Sequence, residues 1–236
     1  MKNNYNDIID ILMTLLNDEE IASSIVVSGT IVPFLVTKKE PDEYIRDFSI
    51  LVKKKNIDSI RKKVKNLSKE YTFDIVSDSK AYTVGEYGFK IKYNDTCVRF
   101  EPYSFLSNNF KVSSYALSGD EKEIITKTNT LYNVTKNCII RYTTFSDDKK
   151  IRIISPEYQL SKIELMNKKA FGPSTKVIEM LNRLSDESIL KIVREKMENE
   201  NVDIKRQVAK KDNQMLFIIL GAVLVVLAMI VFLIIK

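Results

Sequence analysis

The sequence predicts an α+β domain with a C-terminal helical portion, followed by a single transmembrane helix. Three observations carry this. Short β-branched and aromatic runs recur through the first two thirds of the chain, and helix-periodic segments stand at both ends of them. From Met215 to Ile235 the chain reads MLFIILGAVLVVLAMIVFLII, with no charge and no polar side chain. A run of about 20 apolar residues, rising 1.5 Å each as a helix, crosses a hydrocarbon core of about 30 Å.

The elements follow in order. Ile8, Ile9, Ile11, Leu12, Leu15 and Leu16 recur at helical spacing and predict an amphipathic first helix. Ile25–Val27 is a short strand, broken by Ser28-Gly29, and Thr30 to Val36 is a helix whose first turn accepts Pro33. After the polar KKEPDEY comes FSILV, a strand. Ile57, Ile60, Val64 and Leu67 then mark a helix with Arg61, Lys62, Lys63 and Lys65 on its wet face. TFDIV, YGFKIKY, TCVRFEPY and NCIIRYTTF are strands, with a hairpin turn at Asn94-Asp95. Residues 111–134 carry no clear period, and KIRIIS is a further strand. From Pro156 the pattern is helical in three segments, the last capped by Ser185 or Asp186. The boundaries expected are 1–154 for the sheet domain, 155–198 for helices packing on it, 199–214 for a juxtamembrane linker and 215–235 for the span.

Lys205, Arg206, Lys210 and Lys211 precede the span and only Lys236 follows it, which orients the domain to the cytoplasmic side. The N-terminus shows no signal-peptide core. Gly221 and Ala222 permit close helix approach, but no GxxxG spacing occurs. Heavy use of Lys, Asn and Ile is the composition of an A/T-rich, bacterial-type genome.

Composition also excludes chemistry. With no histidine, a His-based triad, a His-ligated zinc and an imidazole shuttle are all ruled out. Cys97 and Cys138 both lie in strand-like runs and read as buried free thiols, too few for a four-cysteine zinc site. A net charge of +6 is too modest to indicate nucleic acid as the partner. Neither GxxxxGK[ST] nor GxGxxG occurs.

Two stretches resemble a known family. VVSGTIVPFLVTKKEPDEYIRDFSILV is similar to the opening of minimal nucleotidyltransferase domains: an apolar strand, a Gly-containing pair, a short helix, then an Asp-x-Asp strand. ISPEYQLSKIELMNKKAFGPSTKVIEMLNRL resembles the downstream helices of nucleotidyltransferase-like proteins of abortive-infection and toxin–antitoxin systems. The resemblance implies a nucleotidyltransferase-like mixed sheet flanked by helices. It also implies nucleotide-binding roles for Ser28, Gly29, Ser49, Lys162 and Lys169, and metal-binding, catalytic roles for Asp47 and Glu101. Carboxylates two apart on a strand share a face, and with a third they hold two Mg²⁺ ions that clamp the attacking and leaving oxygens.

Here the pattern departs. Asp47 matches the first carboxylate, but Ser49 stands at the second, and Ser174-Thr175 replace an expected Lys-Asp. A hydroxyl is no substitute for a carboxylate shared by two metal ions. The expectation is therefore a membrane-anchored, catalytically impaired domain that binds a nucleoside triphosphate or a protein partner. Two alternatives stand beside it: an active Mg²⁺-dependent transferase using Asp47 and Glu101, and a tail-anchored adaptor without nucleotide chemistry.

Overall fold

In a computed structural model, residues 3–67, 70–73, 88–117, 123–146, 149–167 and 175–208 are described. At its centre lie β1 (Ile25–Gly29) and β2 (Phe48–Lys53), joined by α3 (Val32–Thr37) and preceded by α1 (Tyr5–Leu16) and α2 (Glu19–Ser24). Every residue of β1 and five of six in β2 are buried. Such runs read as continuous apolar sequence because helices cover both faces of the sheet.

After β2 come a 3₁₀ turn (Lys54–Asn56), α4 (Ile57–Leu67) and β3 (Thr72–Phe73). Next follow β4 (Phe89–Tyr93), β5 (Thr96–Leu106), β6 (Asn109–Leu117), β7 (Glu123–Leu131), α5 (Lys136–Ile139), β8 (Ile140–Ser146) and β9 (Lys149–Ile154). The chain continues through α6 (Pro156–Asn167), α7 (Thr175–Leu184), α8 (Glu187–Glu198) and β10 (Asn201–Val208). One sheet of ten strands runs β10-β7-β6-β5-β2-β1-β9-β8, with β4 also on β5 and β3 on β4.

The sheet is mixed. β1 is antiparallel to β2 but parallel to β9, and β2 is parallel to β5 from Ser49↔Arg99 to Lys53↔Tyr103. Strand β5 serves β4 with its first half and β6 with its second. The core divides by sheet face. Phe48, Ile50, Val52, Val27 and Phe100 pack with the buried stripe of α1, and Val26, Leu51, Tyr103 and Phe110 pack with Tyr158 of α6 and Val193 and Met197 of α8. Strict alternation along β2 thus sends odd positions to the second face, and Asp47 and Ser49 fall on it.

Several expectations hold. The Asn94-Asp95 hairpin forms, with Asn94 at φ 51° and Tyr93 opposite Thr96. Asp186, of the two candidate caps, accepts from the Ser188 and Ile189 amides.

Others are corrected. Cys97 is exposed and Cys138 half-buried, so neither is a buried thiol. In T-C-V-R-F, Val98 and Phe100 turn into the first core, which sends Cys97 to the other face of the sheet. Residues 111–134 resolve into β6 and β7, whose long-range register leaves no local period. Asn201–Val208, expected as linker, is β10, held by eight registered positions along β7. Its polar composition hides a strand that backbone pairing supports. Residues 215–235 lie outside the described residues. Among those described, no helix is long and apolar enough to cross a membrane.

Candidate functional site

The second face of the sheet turns polar at the end of β1 and β2. Ser28 and Ser49 stand opposite each other in register, both buried, and Arg99 of β5 stands opposite Ser49. Two residues further along β5, Glu101 shares the face with Arg99.

Gly29 sets the entrance. Its φ is +100°, in the left-handed region, and a Cβ there would lie 2.1 Å from the Asp47 carbonyl oxygen. Only glycine permits that approach. The same carbonyl accepts from the Thr30 amide at 2.8 Å, tying the β1 turn to the start of β2. Behind it, the buried Asn4 side chain donates to the Ile45 carbonyl at 3.1 Å and accepts from its amide at 2.8 Å. The segment leading into Asp47 is thus pinned from both sides.

Arg99 is the residue that sequence reasoning missed. Its Nη2 donates to Asp47 Oδ1, and its Nε lies 3.5 Å from Glu101 Oε1. That second contact is an ion pair too loose for a hydrogen bond, and the buried Nε–H has no acceptor among the described residues. Burial works against the Arg99 charge, but the Asp47 and Glu101 carboxylates outweigh it and hold the guanidinium above its ordinary value. The signal was available: in C-V-R-F-E, period two puts Arg99 and Glu101 on one face.

Burial pushes the Glu101 carboxyl up from its ordinary value, and Lys162 of α6 and then Arg99 pull it back. Lys162, one of the expected residues, thus acts on Glu101 through its charge. It also favours the charged form of half-buried Glu200, whose carboxyl is raised by burial and opposed by a hydrogen bond from Asn129 and by Lys127. Burial likewise raises the Tyr158 hydroxyl, which stays neutral between Glu200 and Glu101.

Of the predicted residues, Ser28, Asp47, Ser49 and Glu101 thus share one sheet face, with Gly29 in the turn beside them, and Lys162 acts on Glu101 from α6. Lys169 lies outside the described residues. No group of three His, Cys, Asp or Glu side chains able to hold a metal converges among the described residues.

No family model matches the sequence, and no curated protein matches it. Solved structures do. The solution structure of the antibiotic-resistance factor ANT(2'')-Ia is similar at TM-score 0.50 and 10% identity, over 82% of this chain and 92% of that one. The fold is nucleotidyltransferase-like. The lincomycin-bound crystal structure of the lincosamide antibiotic adenylyltransferase LnuA also matches, at 15% identity over 69% of this chain and 87% of that one. Its TM-score of 0.43 is too low to weigh. At such identities the nucleotidyltransferase-like likeness concerns the fold alone, and the chemistry must be argued from the residues of this chain.

Proposed function

We propose that this chain is a nucleotidyltransferase-like module that has lost transfer chemistry, binds a nucleoside triphosphate through its phosphates, and is kept at a membrane by the apolar run of residues 215–235. The observation that carries the reading is Arg99. A two-metal site needs carboxylates on β2 and β5 free to face the ions, and here a guanidinium lies between the two that remain. Ser49, opposite it in register, offers a neutral oxygen. Two divalent ions beside a fixed cation would meet repulsion and a deficient donor set. The donor set that remains is thus deficient for a two-metal Mg²⁺ site.

What the site does offer is donors. The buried Arg99 Nε–H has no acceptor among the described residues, and the Lys162 charge acts on the neighbouring Glu101. Phosphate oxygens satisfy both, because charge-assisted bonds to arginine and lysine are the strong ones. Gly29, with no side chain, lets the β1 turn close against the Asp47 backbone beside them.

A membrane location would suit the same reading. A module without turnover acts by where it is and what it holds, and an apolar run of this length is sufficient to hold it in a bilayer. The cations of 205–211 favour the cytoplasmic side for the domain, although Lys205 and Arg206 belong to β10. Residues 209–214 then connect β10 to the run. The nucleotide-bound or free state of the module is what a protein partner would read.

The test uses the full chain in neutral detergent, titrated with each common triphosphate in Mg²⁺ and in EDTA. Binding of similar strength in both, with no transfer of α-phosphate label, supports the reading. Label transfer that requires Mg²⁺ and vanishes in Asp47→Ala would establish the active transferase instead. No binding of any triphosphate would leave the adaptor.

A further inference from the structure

The sheet face that carries Asp47 and Glu101 runs on along β2 to Lys53. Six residues of strand separate Lys53 from Asp47, about 20 Å at ~3.3 Å per residue, while Glu101, opposite Leu51, stands two residues short of the Lys53 position. At this far end the charge changes sign. Lys53 stands opposite Tyr103 in register. Arg152 of β9 points to the same face, since Ile154, two residues on, packs in the second core with Leu51 and Tyr103. It lies opposite Tyr142 of β8 and is only 9% exposed. One of its donors, Nη2, reaches the Ala22 carbonyl at 3.3 Å.

Two exposed lysines, Lys55 of the 3₁₀ turn just after Lys53 and Lys136 of α5, add charge that Lys53 feels. Burial first, and then repulsion from Arg152, Lys136 and Lys55, holds the Lys53 ammonium below its ordinary value. Burial raises the Tyr103 hydroxyl while Arg152 opposes that, so the hydroxyl remains a neutral donor beside the cations.

Other cations of this chain find acids. Lys63 pairs with Asp18 and Glu20, Lys176 with Asp42 and Arg194 with Glu164. Among the described residues, none of Lys53, Lys55, Lys136 and Arg152 has a carboxylate partner. Solvated lysines on a wet face need no explanation. A nine-tenths-buried arginine with part-buried Lys53 beside it does, because desolvated charge is costly until an opposite charge arrives.

We propose that Lys53, Lys55, Lys136 and Arg152 form a second anion site, for a phosphate group, at the end of the sheet face remote from Asp47. The planar fork of Arg152 suits two phosphate oxygens, the lysines supply point charge, and the Tyr103 hydroxyl adds a neutral donor. A soluble phosphate and a phosphate on a lipid headgroup share this chemistry. The site is independent of the nucleotide reading, since it uses none of the same residues.

The experiment titrates the full chain in neutral detergent with inorganic pyrophosphate, and separately with phosphatidic acid added to the micelles. Saturable binding of at least one probe is expected. It should weaken by at least about tenfold in the double variant Lys53→Met/Lys136→Met and persist in Lys162→Ala. Preference for pyrophosphate marks a soluble ligand, and preference for phosphatidic acid marks a headgroup. Arg152 is left in place because its burial makes it a packing residue as well. Failure of both probes to saturate, or weakening in Lys162→Ala with none in the double variant, overturns the proposal. A second readout needs no ligand: with repulsion relieved, the double variant should melt above the unmodified chain. A lower melting temperature would mean that the lysines hold the fold together, and would equally overturn the site.

Discussion

The two ends of one sheet face handle charge in opposite ways. At the Asp47 end the chain supplies its own counter-charge: Arg99 lies between Asp47 and Glu101, and Lys162 reaches Glu101 from α6. At the Lys53 end, among the described residues, four cations face one another without a carboxylate partner. Between Asp47 and Lys53 lie Leu51 and, opposite it, Val26, both in the apolar core. The same fold thus builds one end that is electrostatically closed and one that is open. Where a protein neutralises its own charge, an ion is not needed for the fold to stand. Where it does not, stability is held below its limit until a ligand of opposite sign binds.

The largest expected effect breaks the closed end at its backbone. Gly29→Ala forces a Cβ against the Asp47 carbonyl in a left-handed conformation. A loss of about 3 kcal/mol is expected in denaturant unfolding, from strain and steric displacement together. An unchanged midpoint would mean that the β1 turn does not fix Asp47.

Next is Arg99→Ala. Glu101 is buried, while Arg99 and Asp47 are each more than a third exposed at the side chain, so the loss is discounted to about 2 kcal/mol near neutral pH. The dependence on pH has a definite sign. The Glu101 carboxyl is raised in the folded state by burial. Its stability contribution is therefore full below the unfolded value of about 4.3 and is lost as pH rises through the folded value. Removing Arg99 removes a force that lowers it, so the variant should lose more at pH 7 than at pH 4. Thermal melts at the two values check this, and an equal loss at both would detach Arg99 from Glu101.

Glu101→Gln sharpens the same point with a smaller change, within about 1 kcal/mol at neutral pH, because it removes a buried charge along with its partner's attraction. Its melting temperature should vary less between pH 4 and pH 7 than that of the unmodified chain. The smallest effect belongs to the open end. Lys53→Met should raise stability by about 0.5 kcal/mol at low salt, and the gain should shrink as salt screens the cluster.

What the sequence made legible follows the range of the forces involved. The β1-α3-β2 unit, Ser28-Gly29 and Asp47 could be read because strand, turn and helix signals there are local. The Asn94-Asp95 turn and the Asp186 cap were legible for the same reason. The loss at Ser49 was plain from a spacing of two. Arg99 was not weighed because its role depends on the register of β5 beside β2, a contact about fifty residues apart in sequence. Strands β6, β7 and β10 escaped likewise, since their polar residues gain strand structure only from one another. The Lys53 cluster joins four elements that no window of sequence contains.

The proposed loss of transfer chemistry rests on the Arg99 guanidinium between Asp47 and Glu101. Titration of Mn²⁺ into the full chain, followed by the electron paramagnetic resonance of free Mn²⁺ and repeated with a saturating non-hydrolysable triphosphate, tests it most directly. Beyond the ion carried by the triphosphate itself, no Mn²⁺ should be retained, and Asp47→Ala should change nothing. Retention of one or two further Mn²⁺ per chain, abolished by Asp47→Ala, would contradict the account.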